Sequence, residues 1–121
     1  MQEVSVLVVD DQAAFRQAMA TVVAATDGFV LAGSAASGEE AVALGAALRP
    51  QLVLMDVHLP GIDGVEATRR LRAAGSPPVV VLLSTYGVDE VAFDGCGAAA
   101  YVPKQLFGPD QLIGCWPSNS A

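Results

Sequence analysis

The chain has 121 residues and a hydrophobic fraction of 53%, which suits one domain built on one core. Much of that apolar content is alanine, no apolar run approaches the ~18–20 residues of a membrane span, and the N-terminus lacks the basic-then-apolar pattern of a secretion signal; a cytoplasmic location without a membrane is expected. A net charge of −7 with only six Lys and Arg argues against nucleic acid as a direct partner.

Strand-like and helix-like segments alternate along the chain, the pattern of an α/β fold with a mostly parallel sheet. The first strand is Val4–Val9, an apolar run that ends in Asp10 and Asp11. A helix follows, with Phe15, Ala18, Met19 and Val22 at the spacing that lines one face. A short, weak strand falls at about 30–34. The second helix opens at Ser37, with Glu40 three residues on as a capping-box partner. Ala41, Leu44 and Leu48 form its apolar stripe, and Pro50 blocks continuation.

The third strand is Leu52–Asp56, a buried-strand pattern like the first. Pro60 and Gly61 mark a turn that leads to Asp63, an N-cap with Glu66 three residues later. The helix so opened runs to about Ala74 and stops at Gly75. Its Arg69, Arg70 and Arg72 read as a solvated face rather than a phosphate-binding patch. Val79–Ser84 is the fourth strand and Ala99–Val102 the fifth. Between them, Val88–Asp94 has room for about two helical turns before Gly95 and Gly97 interrupt it.

A last helix starts at Pro109 and carries Leu112, Ile113 and Trp116 inward. Residues 117–121 read as a polar tail, which leaves one domain over residues 1–116. Cys96 and Cys115 match no zinc or redox spacing and read as reduced thiols, with a disulfide between them left open.

Parallel strands joined by right-handed crossovers share one C-terminal edge, and open α/β sheets bind ligands there. Asp10, Asp11, Asp56, Ser84 and Lys104 fall at or just past the ends of strands one, three, four and five. Four separated segments therefore bring acids, a hydroxyl and an ammonium to one rim. Acids held that close repel unless a cation sits among them, so the set predicts a divalent metal. Phosphoryl transfer is the chemistry it favours, with Asp56 as a competent carboxylate nucleophile. Read without the others, Asp10 and Asp11 would pass for helix caps. His58 stands alone, with no second histidine or cysteine nearby, so its imidazole is a poor metal ligand.

Those pieces, Leu7-Val8-Val9-Asp10-Asp11, Leu54-Met55-Asp56 through Pro60-Gly61 to Gly64, Leu83-Ser84-Thr85 and Ala98-Ala99-Ala100-Tyr101-Val102-Pro103-Lys104, occur in an order and at separations that are together highly specific. The chain resembles the receiver domain of two-component response regulators over essentially its whole length. The resemblance implies a flavodoxin-like, doubly wound, five-stranded parallel sheet of order 2-1-3-4-5, with helices on both faces and a short fourth helix. It implies Asp56 as phosphoacceptor, and Mg²⁺ bound by Asp10, Asp11, Asp56 and the main-chain carbonyl of His58. It implies Lys104 as the partner of a phosphate oxygen, Ser84 as the switch hydroxyl with Thr85 competing for the role, and Tyr101 as either switch aromatic or packing residue. A sensor histidine kinase is the implied phosphodonor. A homodimer or a separate output protein would meet the fourth helix, fifth strand and fifth helix.

Two features depart from the family pattern. Gln105 follows Lys104 where many receivers carry a proline, and the interval from Ser84 to Lys104 is about two residues short, falling in the fourth helix. Among rivals, a haloacid dehalogenase-type phosphatase needs a second acid where His58 stands. A flavodoxin-type FMN carrier needs a phosphate loop where Asp10 and Asp11 would repel phosphate. The expected function is a signalling phosphoacceptor, not an enzyme acting on a separate substrate; the alternative is a degenerate receiver acting only as an interaction module. Stand-alone domain and fragment of a longer regulator are both compatible with the sequence.

Overall fold

Near-continuous apolar runs whose side chains alternate between faces place two cores on the two sides of one sheet. The computed structural model describes residues 3–75, 77–85 and 96–116. In chain order the elements are β1 (Val4–Val9), α1 (Ala13–Ala25), β2 (Phe29–Ala35), α2 (Gly38–Leu48), β3 (Leu52–Asp56), α3 (Gly64–Arg72), β4 (Val79–Ser84), β5 (Ala100–Pro103), a single 3₁₀ turn (Lys104–Leu106) and α4 (Pro109–Cys115). All five strands pair in parallel, in the order β2-β1-β3-β4-β5. This is the expected flavodoxin-like arrangement. The helix expected over Val88–Asp94 and the tail at 117–121 lie outside the described residues.

Successive residues of a strand point to opposite faces. Leu7, Val9, Val53, Met55, Val80 and Leu82 pack with Ala41 of α2 and with Val65, Ala67 and Leu71 of α3. Val6, Val8, Leu52, Leu54, Val81 and Leu83 pack with Met19 and Val23 of α1 and Leu112 of α4. The central strands β1, β3 and β4 are buried on both faces, as continuous apolar runs require. Edge strand β2 is longer than expected, and its pairing with β1 shifts register between Val6 and Leu7.

The caps match the sequence closely. Ser37 Oγ accepts the Glu40 N–H at 3.1 Å, and Asp63 Oδ1 accepts the Glu66 N–H at 2.8 Å. Glu40 turns back to accept the N–H of Ala36 at 2.8 Å, one residue before the N-cap. Helix α3 ends at Arg72 with Ala73 as its cap, two residues earlier than expected. Fifth strand β5 starts at Ala100 and includes Pro103.

Three helix faces differ from expectation. On α1 the buried side is Met19 and Val23 flanked by Phe15 and Val22, while Ala18 faces solvent. Leu48 is 43% exposed, because α2 ends at Arg49 in a left-handed turn (φ 50) and Leu48 only lies across Gly33 of the edge strand. Helix α4 has seven residues, too short to bury a full stripe: Leu112 is buried, Trp116 packs half-buried, and Ile113 is 55% exposed. Arg69 and Arg70 are exposed and both pair with Glu66, which fits the solvated-face reading. Cys96 and Cys115 are free thiols; burial pushes the Cys115 thiol up. Among the described residues no helix is long and apolar enough to cross a membrane.

Candidate functional site

The C-terminal edge of the sheet gathers the acids. Carboxylate oxygens of Asp10, Asp11 and Asp56 lie within 4.8 Å of one another. Asp10 and Asp56 are buried and Asp11 is exposed. The β1–β3 ladder forces this meeting, because Val9 pairs with Met55 in register and each strand then ends in its acid.

Lys104 closes the cluster from β5. The sheet order sets β5 two places from β3 and three from β1, and the lysine stem spans that gap. Its Nζ lies 2.6 Å from Asp10 Oδ2 and 3.3 Å from Asp56 Oδ2, with only 9% of the side chain exposed. The short contact to Asp10 is an ion pair without hydrogen-bond alignment: Asp10 Oδ2, fully buried, accepts no hydrogen bond. Asp10 Oδ1 accepts the backbone N–H of Gln12 at 2.9 Å. Asp10 thus turns the chain toward α1 without capping it, contrary to the helix-cap reading, because the N-cap is Gln12 and no side chain caps the helix; its second oxygen is presented to the site.

Burial and the neighbouring Asp10 charge raise the Asp56 carboxyl above its ordinary value; Lys104 and the His58 N–H, which donates to Asp56 Oδ1 at 3.3 Å, pull it down. The upward causes win, burial first and the Asp10 charge second, and with Asp11 the site carries three carboxylates against one ammonium. That leaves two uncompensated negative charges if all are ionised. The donor set is all oxygen, one buried oxygen lacks a hydrogen-bond donor, and the charge deficit equals one divalent cation. A hard divalent ion fits such a set, needing few protein ligands because water completes its shell.

Ser84 is fully buried at the end of β4, where it pairs with Pro103 of β5. The preceding Leu83 pairs with Asp56. Thr85 is exposed. Tyr101 is half-buried and packs on the α2–α3 side of the sheet. The His58 side chain is exposed.

Several residues shape the site in ways that the sequence analysis did not assign, although it quoted Gly64 in a motif and Phe15 in a helix stripe. Arg16 Nη1 donates to the main-chain carbonyl of Asp10 at 2.8 Å. The Phe15 ring lies under Lys104, with Nζ 4.6 Å from its centroid. Gly64 admits the backbone of the phosphoacceptor candidate: a Cβ there would stand 2.8 Å from Val57 Cα and collide with the Asp56 carbonyl. The only available signals were the helical spacing of Phe15 and Arg16 from the acid pair and the glycine just after an N-cap.

A model of the response regulator receiver domain matches residues 6–114. The positive alginate biosynthesis regulatory protein of Pseudomonas aeruginosa is 37% identical over 109 residues, covering 88% of this chain and 43% of that protein. A protein-glutamate methylesterase/protein-glutamine glutaminase of Nocardioides sp. is 36% identical over 108 residues, 86% of this chain and 30% of that one. The chain therefore spans less than half the length of these relatives. The signal receiver domain of NarL from Mycobacterium tuberculosis superposes with a TM-score of 0.87 at 25% identity, covering 95% of this chain and 97% of that one. On fold, acidic cluster and family match together, the chain belongs to the response regulator receiver domains of two-component signalling.

Proposed function

We propose that Asp56 accepts a phosphoryl group from a phosphohistidine of a sensor histidine kinase, and that the domain thereby switches a partner surface. The observation that carries this reading is the bridge of Lys104 across Asp10 and Asp56, with Asp11 in the same cluster. An Asp56 oxygen attacks phosphorus in line, the P–N bond breaks, and its electron pair leaves with the imidazole. The product is an acyl phosphate. Its transition state spreads charge over three equatorial oxygens, and Lys104 supplies a fixed positive charge beside them.

Asp10, Asp11, Asp56 and the His58 carbonyl would hold Mg²⁺, which when bound neutralises phosphoryl and carboxylate oxygens. Ser84 is the hydroxyl that engages the phosphoryl group, and Tyr101 is the aromatic that responds. A switch of this kind requires the phosphorylated form to bind its partner with a different affinity. The partner-facing region is β5 and α4, which would meet a second copy or a separate output protein. The relatives named above differ in name, a regulatory protein and a methylesterase, and each is matched over less than half of its length; residues 1–116 are on this reading the phosphoacceptor unit whatever the output. Its chemistry is confined to its own phosphorylation and dephosphorylation, in the cytoplasm.

Incubation with Mg²⁺ and acetyl phosphate, followed by intact mass, tests the proposal. The expected result is a phosphoryl adduct that is labile to hydroxylamine, absent in Asp56→Asn and absent in EDTA. An unchanged mass in the parent protein would overturn it in favour of a degenerate interaction module.

A further inference from the structure

Lys104 is the only lysine in the sequence, and its ammonium is enclosed on more sides than the two carboxylates explain. Phe15, in the first turn of α1, presents its ring to Nζ at 4.6 Å from the centroid. A cation within ~6 Å of a ring centroid is attracted by the negative face of the π system, more strongly where both are desolvated. Lys104 meets that condition, with 9% of its side chain exposed.

From this geometry we infer that Phe15 is a positioning residue for Lys104: its ring is the third wall of the cage that holds the ammonium over Asp56. The inference rests on the phosphoacceptor reading of Asp56. A lysine is a point charge on a flexible four-carbon stem, and two carboxylates alone leave it free to move from one to the other. The shorter distance here is to Asp10, not Asp56. A ring face attracts the ammonium without directional hydrogen bonds, so it keeps Nζ at the site while its carboxylate partners change. Among the described residues the charged groups facing Lys104 are Asp10 and Asp56, and the ring touches the ion without adding charge to the acid cluster.

Core packing alone accounts less well for Phe15. It is only half-buried at the margin of the core on the α1 side, where leucine or methionine would fill the same volume. That difference supplies the test. Phe15→Leu and Phe15→Met remove the ring and keep the bulk, whereas Phe15→Tyr and Phe15→Trp keep a π face. At saturating Mg²⁺ and acetyl phosphate, the phosphorylation rate should fall about five- to tenfold in Leu and Met and stay within about twofold of the parent in Tyr or Trp. Thermal melts select the variants that remain folded.

A second readout needs no phosphorylation. With one lysine in the chain, the ammonium ¹H–¹⁵N cross-peak in NMR is unambiguous. It should persist at low temperature in the parent and Phe15→Tyr, and broaden by solvent exchange in Phe15→Leu. Equal rates and equal cross-peaks in Phe15→Leu and the parent would overturn the inference, as would a Tyr variant as impaired as the Leu one. A parent protein that takes no phosphoryl group sinks the reading of Asp56, and the cross-peak then decides the role of Phe15 by itself.

Discussion

Glu39 grips the β3–α3 loop from outside the sheet: its Oε2 accepts the backbone N–H of Ile62 at 3.1 Å. The same carboxylate lies against Gly61, whose φ of 74 and lack of a side chain allow the approach; a Cβ there would sit 2.5 Å from Oε2. The first turn of α2 thus braces the loop that runs from Asp56 to the α3 cap. Its negative charge at a helix N-terminus is favourable in itself.

Glu39→Ala removes one hydrogen bond and one favourable charge. Destabilisation of about 1 kcal/mol is expected, with Glu39→Gln recovering roughly half because its amide oxygen can still accept. Urea denaturation measures both. If Ala and Gln are equally stable to the parent, the brace contributes nothing.

The raised Asp56 carboxyl makes stability depend on pH in a definite sense. Below the ordinary carboxylate range the group is neutral in folded and unfolded chains. As pH rises, the unfolded chain ionises first, and ionisation in the fold is opposed by burial and by Asp10. The metal-free fold therefore loses this contribution as pH climbs through the raised value. Asp56→Asn lacks the group, so its melting temperature in EDTA should exceed the parent's by a margin that grows from pH 4 to pH 7. Added Mg²⁺ should narrow the gap at pH 7. A margin that shrinks with rising pH contradicts the electrostatics described for the site.

Lys104→Ala leaves Asp10 and Asp56 buried without their cation. A loss of about 3 kcal/mol is expected in EDTA. Divalent binding should move the other way, because the competing ammonium is gone. Isothermal titration should give a Mg²⁺ Kd lower by about tenfold, equivalent to roughly 1.4 kcal/mol. A weaker Kd in this variant means that the lysine assists the ion instead of competing with it.

Gly64→Ala drives a methyl group into the backbone of Asp56 and Val57. Backbone cannot yield as a flexible side chain does, so the cost should reach about 3 kcal/mol. Chemical denaturation would show it. Gly75→Ala, where a Cβ meets nothing within 4 Å, serves as the control and should be close to neutral.

The sequence announces some of these features and conceals others. Strands β1, β3 and β4 are buried on both faces, so their near-continuous apolar runs mark them to the residue. The caps at Ser37 and Asp63 are equally plain because they are local hydrogen bonds between residues three apart. Asp10, Asp11, Asp56 and Lys104 were legible as one site because strand ends and parallel order determine where they meet. Helix faces were harder. Ala18, Leu48 and Ile113 fit an apolar stripe by spacing, yet each helix covers only part of the sheet, and periodicity does not say where the cover stops. Phe15, Arg16 and Glu39 act through side-chain reach across elements, for which the linear chain offers no spacing rule.

The lysine that reaches from the last strand to the first has a consequence for biosynthesis. A ribosome releases Asp10 and Asp56 long before Lys104, so a nascent chain holds clustered acids whose counter-charge has not yet emerged. Where no divalent ion is bound, the acids stay uncompensated until the final strand has docked, and polypeptides cut short ahead of it would lean on a metal ion alone. Completeness of translation is thereby written into the charge balance of the pocket.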